Sequence, residues 1–459
     1  TARVNAALAA TDPDQALNVF QDGPGGSPAL LESLIAEPVF SNYASKATQG
    51  TGFLRGPLFA LPAGEVELVV GAEGRSEDIL FDSAPTFVSS DRTTRAAFVE
   101  TRIPLVSAAT SWPAVGGLAL TVAARYDDYS DFGDTFNPQL GLTWNPVANL
   151  TVRASYGTSF RPPALYELHS PRREAFGASA VDPRRNNESV SVSQIYGGNP
   201  DLEATEAESL TTGIVYTAPV LDGLRLSASY WRINLEKKVQ SPRVQLVVNN
   251  EALFPERVVR DAPSPADVAA GLPGPILAVD TSYINTGQVQ TSGVDLEASL
   301  AFETRLGRFA PRLSATWVDE YTAVTMPGTD AVERVGIANV SGSIPRWRIV
   351  GSLAWARAGA GLSVTARYLP SYDDATFDGV PTGRTIPSQT LVDAQATLDL
   401  DGVRGEPPAW LQGLKIALGA SNLFDKEPPF SEAFAYLGYD VTQGELRGRF
   451  LYARLSKRF

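Results

Sequence analysis

The sequence predicts an all-β protein, a transmembrane antiparallel β-barrel, on three observations. Apolar residues recur at every second position in run after run, the signature of a strand with one apolar face. Aromatic residues close those runs at set ends, and the connections between runs alternate between short and long. A barrel spanning an outer membrane has all three properties.

The first of the runs places Leu120, Val122, Ala124 and Tyr126 on one face. The same order recurs in Leu150, Val152, Ala154, Tyr156, in Leu224, Leu226, Ala228, Tyr230, and in Leu362, Val364, Ala366, Tyr368. The residues between are small or polar, such as Thr151, Arg153 and Ser155. Elsewhere the ring sits at the opposite end: Leu140 and Leu142 lead to Trp144, and Leu353 leads to Trp355. Strands of opposite direction thus end in Tyr or in Trp, and Tyr126, Tyr156, Tyr230, Tyr368, Trp144 and Trp355 are expected to form two membrane girdles.

Short turns fall near Pro62 to Gly64, Asn145 to Asn149, Pro219 to Gly223, Thr304 to Gly307 and Ala358 to Gly361. Long connections run from about Pro162 to Leu202, Gln240 to Asp280, Val324 to Ser343 and Lys426 to Glu445, with a short outer hairpin at Asp127 to Asp134. Short turns belong on the periplasmic side and long loops outside. Counting upward from the C-terminus gives about fifteen strands, the first near Gly52 to Leu61 and the last near Arg447 to Phe459. Residues 1–47 are then expected to begin as an extracellular segment, with residues 48–459 as barrel. Bacterial single-chain barrels usually have an even number of strands, and a sheet with two free edges cannot sit in lipid, so this chain alone is not expected to close.

Composition agrees with a turn-rich β protein: 459 residues include 39 Gly and 33 Pro, and the hydrophobic fraction is 44%. No segment reaches the roughly 18 to 20 consecutive apolar residues of a membrane-spanning helix. Cysteine is absent, which excludes disulfides, thiol catalysis and thiolate metal sites. A net charge of -13 speaks against nucleic acid as a partner. The chain opens at Thr1 without an initiator Met or a secretion signal, and so reads as a processed or partial polypeptide.

Several segments resemble TonB-dependent outer-membrane transporters. Tyr156-Gly-Thr-Ser-Phe-Arg-Pro-Pro-Ala-Leu-Tyr-Glu-Leu168 is similar to the family's aromatic-Arg-x-Pro segment at the end of an ascending strand. Gly198-Asn-Pro-Asp-Leu-Glu-Ala-Thr-Glu-Ala-Glu-Ser209 resembles the stretch that opens the next strand. Asn285-Thr-Gly with Ser292-Gly-Val-Asp-Leu-Glu297, and Ala420-Ser-Asn-Leu-Phe-Asp-Lys426, resemble two further family segments. The terminal run Leu451 to Phe459 looks like the assembly signal of outer-membrane barrels, with Phe459 as its aromatic end and Lys457 as a departure that snorkelling accommodates. The resemblance implies a barrel of about 22 strands filled by an amino-terminal plug that engages a TonB-type energy transducer. By that count the plug and about seven strands lie on a second polypeptide or a missing amino-terminal part. The implied setting is the bacterial outer membrane, with outer-membrane lipid as a partner.

Candidate ligand-binding residues cluster in the loop after Phe160: Arg161, Tyr166, His169, Arg172, Arg173, Arg184, Arg185 and Tyr196. The arginines are suited to a ligand carboxylate or phosphate, although exposed loop charge of this kind is more often simply solvated or in contact with anionic lipid. A catalytic His169 would need an oriented partner that the sequence does not reveal, and no covalent chemistry or cofactor is expected. Asp127, Asp128, Asp131 and Asp134 offer hard oxygen ligands to calcium, although aspartate is also a preferred turn residue. Phe176, Tyr321 and Tyr372 are candidates for a vestibule lining. Arg153, Asp295, Glu297, Arg367 and Lys415 alternate with apolar residues and should face the lumen.

The leading functional reading is a gated importer of a scarce nutrient, whether siderophore, sugar, cobamide or peptide. The alternatives are a passive porin or adhesin, which shares the barrel but needs no plug, and a soluble glycan-binding or hydrolytic β-protein. The last would pack its apolar face into a core and would need neither paired girdles nor Phe459.

Overall fold

The computed structural model describes residues 2–12, 14–20, 23–34, 41–83, 86–107, 116–219, 221, 223–285, 287–377, 379–403 and 408–458. Two compact units are present, residues 1–46 with 78–91 and residues 47–77 with 92–459. The smaller unit carries helices Ala2–Ala9 and Pro28–Leu34, joined by a turn in which the Leu17 amide donates to the Ala7 carbonyl at 2.8 Å.

Fifteen long strands follow one another: β1 (Ser41–Leu61), β2 (Gly64–Ser83), β3 (Thr86–Val106), β4 (Gly117–Tyr129), β5 (Gly133–Val147), β6 (Leu150–Arg161), β7 (Thr205–Thr217), β8 (Arg225–Glu236), β9 (Val289–Ser299), β10 (Gly307–Ala323), β11 (Trp347–Arg357), β12 (Ala360–Leu369), β13 (Gln389–Asp399), β14 (Leu414–Ser421) and β15 (Phe450–Lys457). Pairings β1 with β2 and β2 with β3 open the sheet. Each strand from β3 onward then pairs antiparallel with its successor. Two short strands, Phe302–Thr304 and Val332–Glu333, add to the ends of β10.

The strand count is the one expected, but its ends differ. β1 starts at Ser41 rather than near Gly52, and β1 to β3 are 21, 20 and 21 residues long. At about 3.3 Å per residue such strands outrun the 9 to 11 residues a tilted strand needs to cross a bilayer. A ladder outside lipid requires no apolar alternation, so nothing in the pattern marked its beginning. β15 ends at Lys457, and the assembly signal assigned to Phe459 lies outside the described residues.

Register confirms the two faces. One hydrogen-bonded row runs Leu118, Trp144, Val152, Ile214, Ala228, Leu296, Ala315, Ile349, Tyr368, and every member is apolar or aromatic. The next residue along each strand belongs to the other face, where Arg153, Gly213, Ser229, Asp295, Thr316 and Arg348 line up. Asp295, Glu297, Arg153, Arg367 and Lys415 all share this polar face, and most find partners across it. Arg312 pairs with Glu297, Arg367 with Asp393 at 2.6 Å, Lys415 with Asp399 at 2.6 Å, and the Thr316 hydroxyl donates to Asp295 at 2.7 Å. Single charges would be costly opposite an apolar medium; paired and wet, they are tolerated on the inner face.

The apolar face holds a groove of 590 Å³ where Ala228, Ala298 and Ala315 lie among Leu226, Ile214 and Tyr216. Small side chains amid large ones leave this hollow, and its chemistry is that of the lipid-facing surface, not of a polar ligand site.

Facing can be tested by charge insertion on β12. Val364 sits between Leu353 and Ala394, and Thr365 between Ser352 and Asp393. Val364→Arg should destabilise the folded barrel by about 2–4 kcal/mol in a lipid-refolding titration, and Thr365→Arg by much less. Equal losses would contradict the assignment of faces.

Candidate functional site

Five long connections lie at the ends of the strands opposite the short turns: residues 162–204, 237–288, 324–346, 370–388 and 422–449. The fourth is not among the long connections expected from the sequence; in it Tyr372–Ala375 and Pro381–Ile386 pair as a short hairpin. These connections are folded. Strands Arg173–Asp182 and Glu188–Tyr196 form a hairpin in the first, while Val258–Arg260 and Ile276–Asp280 pair in the second. The two loops then join by a parallel pairing, Ala278 with Ser193, Val279 with Gln194 and Asp280 with Ile195. The result is one four-stranded sheet built from both loops.

That sheet has its own core. Ala180, Val192, Val258, Ile276 and Val279 pack with Val244, Val247 and Val248 of helix Val244–Asn249, and Met326 joins from the third loop, fully buried. Burying such side chains contributes on the order of 1.5–3 kcal/mol each, enough to hold segments that have no lipid-facing role.

A buried charge cluster locks the sheet. Asp182 is fully buried and Glu251 is 7% exposed. Arg260 donates to both: Nη1 to Asp182 Oδ2 at 2.7 Å, Nη2 to Glu251 Oε2 at 2.6 Å. Arg184 reaches Glu251 at 2.9 Å. The Arg260 bond holds the Glu251 carboxyl below its ordinary value despite burial. For Asp182, burial pushes the carboxyl up, but Arg260 and the Arg184 amide together bring it below the usual range. A charge so enclosed is costly unless paired, and here one guanidinium satisfies two carboxylates.

Of the residues expected to bind ligand, the arginines are engaged within the protein. Arg161 pairs with Glu167 at 3.0 Å, Arg172 with Asp280, and Arg185 with Asp267 and Glu188, each at 2.9 Å. Arg173 ends the hairpin opposite Tyr196. Tyr166 lies on the short helix Leu165–His169, and His169 is exposed at its end. The sequence shows a basic cluster; Arg172, Arg184 and Arg185 find partners in the next loop, 67 to 108 residues away, while Arg161 and Arg185 also pair within their own loop. The aspartates split as well. Asp127 accepts from Arg125 at 2.8 Å, Asp131 from Arg92 at 2.6 Å, and Asp128 faces Asp134 across the hairpin. Among the described residues no group of three His, Cys, Asp or Glu side chains is arranged to hold a metal ion.

The quoted family-like segments prove to be anchors for these loops. Asn285 accepts from the Glu203 amide and donates to the Glu203 and Lys237 carbonyls, at 2.9, 2.9 and 2.7 Å. Asn199 donates to the Tyr283 carbonyl at 3.0 Å, so the two loop bases are tied side chain to backbone. Gly198 is required by proximity: a Cβ there would stand 2.7 Å from the Leu168 carbonyl oxygen. Arg92, 3% exposed, donates to Asp131 and to the Pro163 carbonyl at 2.7 Å. Asn422, at φ 48°, closes its own loop by exchanging bonds with Lys426.

A second cluster joins the remaining loops. Ala338, Tyr372, Ile386, Ala433 and Phe434 pack together, and buried Asp374 accepts from the Ser431 hydroxyl at 3.0 Å and the Glu432 amide at 2.9 Å. The Tyr372 hydroxyl donates to Asp440 at 2.8 Å, and burial, with that carboxylate, pushes the phenol well above its ordinary value. Beneath this cluster a cavity of 260 Å³ is lined by Arg348, Arg367, Gln389, Thr442 and Gln443. Tyr321, expected in a vestibule, falls on the inner face opposite Thr291, whereas Tyr372 is core.

The charge cluster makes the joined loops sensitive to acid. Glu251 and Asp182 have folded pKa values below their unfolded ones, so their contribution is complete above the ordinary carboxylate range and is lost as pH falls through the lowered values. Amide exchange in residues 173–196 and 258–280 should be slow and pH-corrected rates constant above about pH 4.5, then rise on further acidification. Arg260→Leu should remove that protection at neutral pH while leaving strand amides of β10 to β13 unchanged.

Comparison with known proteins follows the same outline. The family described as TonB dependent receptor-like, beta-barrel, matches residues 14–423. An iron-regulated outer membrane virulence protein of Vibrio cholerae is 25% identical over 243 residues, covering 52% of this chain and 30% of that protein. The ferric enterobactin receptor of Pseudomonas aeruginosa, solved with enterobactin, superposes with a TM-score of 0.65 at 19% identity, covering 91% of this chain and 55% of the receptor. The siderophore receptor PirA of Acinetobacter baumannii gives 0.63 at 13% identity, over 91% and 55%. The chain spans about half the length of these structures, and at such identities the likeness establishes the fold. The chain is a β-barrel of the bacterial outer membrane and belongs to the TonB-dependent receptor family.

Proposed function

We propose that this chain is the ligand-gathering and pore-forming part of an importer that takes up an iron chelate across the outer membrane. The observation that carries the reading is the pairing of a folded loop assembly with a polar inner face, in a chain belonging to a family of transporters. The relatives supply the substrate class: one is named for iron regulation, and the similar structures are named as siderophore receptors. Import against a gradient requires energy, so the reading includes a plug in the remainder of the transporter and a TonB-type transducer that acts on it. No bond is made or broken in the ligand, and the protein acts by binding and gating.

Packed loops suit this role better than loose ones. A preformed surface loses less ordering entropy when a ligand docks, so more of each contact appears as affinity. Charges paired across the inner face keep the lumen wet without presenting a strong net field to the ligand.

Uptake of radioactive iron by an iron-starved strain decides the matter. Deleting the gene should abolish uptake of one class of ferric chelate, restored by the wild-type gene and not in cells lacking the energy-transducing complex. Uptake independent of that complex, or dependence on the gene for a sugar, cobamide or peptide instead of iron, would refute the proposal.

A further inference from the structure

Two buried cores organise the loops, and one connection reaches both. The 162–204 and 237–288 loops build the valine-rich core, which takes in Met326. The 370–388 and 422–449 loops build the core of Tyr372, Ile386, Ala433 and Phe434, which takes in Ala338. Met326 and Ala338 both belong to the 324–346 connection, and both are fully buried.

The first arm of that connection is a tight turn at Pro327 and Gly328. Thr329 closes it, donating its amide and its hydroxyl to the Met326 carbonyl at 3.1 and 2.8 Å. Gly328, at φ 82°, lies so near the 237–288 loop that a Cβ would stand 3.3 Å from Leu253 Cδ1. The Gln240 side chain donates to the Thr325 carbonyl at 3.0 Å. The chain's single methionine is thereby held in the core, where a flexible thioether fills an irregular gap. The second arm is held by backbone bonds: the Asp373 amide donates to the Gly336 carbonyl and the Ala338 amide to the Asp373 carbonyl, each at 2.8 Å. Further along, the Ser343 amide donates to the Thr442 hydroxyl at 3.1 Å, and the Gln443 side chain donates to the Ser343 carbonyl at 2.7 Å. Between the arms, Val332 and Glu333 pair with Ala323 and Thr322 at the end of β10. The Glu333 carboxylate reinforces that point by accepting from the amides of Tyr321, Arg334 and Val335.

The connection is thus pinned to the barrel in its middle and buried at both ends. Drawing Met326 or Ala338 out of its core would open a void and expose apolar surface, so neither group of loops can shift far while this connection stays put. Fixed at Val332 and Glu333, it answers by rocking about the pin. We propose that the 324–346 connection is a mechanical link between the two groups of loops, so that loosening or displacing one group loosens the other. A direct contact also joins the groups, from Arg243 Nη1 to the Phe377 carbonyl at 2.8 Å. It is a single exposed bond that water can replace, and the coupling is assigned to the buried route. The link is a property of the packing and stands whatever ligand is carried.

Hydrogen exchange on the full-length transporter provides the test. Arg260→Leu, which breaks the charge cluster of the first group, should speed the amides of residues 372–375, 381–386 and 431–444 roughly 10-fold, a usual size for coupling between sites. Tyr372→Phe, which removes the hydroxyl bonded to Asp440 in the second group, should in turn speed the amides of residues 173–196. Inserting Gly-Ser-Gly-Ser between the exposed Asp330 and Ala331 lengthens the first arm and leaves both cores their residues. Measured against the insertion alone, each substitution should then keep its effect on its own group and lose its effect on the other. Substitutions that never reach the other group would show the groups to be independent and overturn the inference. Transmission that survives the insertion, whether or not Arg243→Ala removes it, overturns the assignment to this connection. Should Arg260→Leu fail to assemble, Tyr372→Phe with and without the insertion reaches the same decision.

Discussion

The rest of this structure depends on one constraint: in lipid no backbone N–H or C=O can be left without a partner. A meander of antiparallel strands answers it, because each strand pairs with the next and the only connections needed are turns. Once the ladder is fixed, the period of two is fixed with it, and each strand must be apolar toward lipid and polar toward the interior. The row from Leu118 to Tyr368 and the row from Arg153 to Arg348 are two readings of the same ladder, one residue apart. A slip of β12 by one residue would carry Arg367 into lipid, and a slip of β13 would do the same to Asp393, so register is specified strongly.

Outside the membrane the constraint lapses, and ordinary packing takes over. The loops between β6 and β7 and between β8 and β9 behave as a small domain, with a sheet, a valine-rich core and a buried ion cluster. Their bases are fixed by Asn199 and Asn285, so a movement of either loop carries the other. Opening of the site is therefore expected to be a displacement of the pair, with the core of Val192, Val247 and Val279 that the two loops share kept intact.

The strands were legible because lipid imposes a pattern on local sequence. Leu362, Val364, Ala366 and Tyr368 reveal their face without any knowledge of what lies beside them. The loops were illegible because their contacts join distant positions: Arg260 meets Asp182 across 78 residues, and Arg184 meets Glu251 across 67. A basic cluster was visible in Arg184 and Arg185, but charge in a sequence does not name its partner. One signal was available. Val244, Val247 and Val248, with Val190 and Val192, are an apolar set inside polar connections, and such a set marks a core. The Asn and Gly positions of the family-like segments stand out in the sequence as motifs, but their work as ties between loop bases depends on contacts that span 82 and 84 positions.

The central claim is that the chain is a lipid-spanning ladder with alternating faces, and the absence of cysteine allows a direct measurement. Single substitutions to Cys along β12, from Gly361 to Tyr368, can be labelled with a lipid-soluble and a charged maleimide in native outer membranes. The account predicts that positions 362, 364, 366 and 368 react with the lipid-soluble reagent and 361, 363, 365 and 367 with the charged one. Reactivity without a period of two, or with the two faces exchanged, would contradict it.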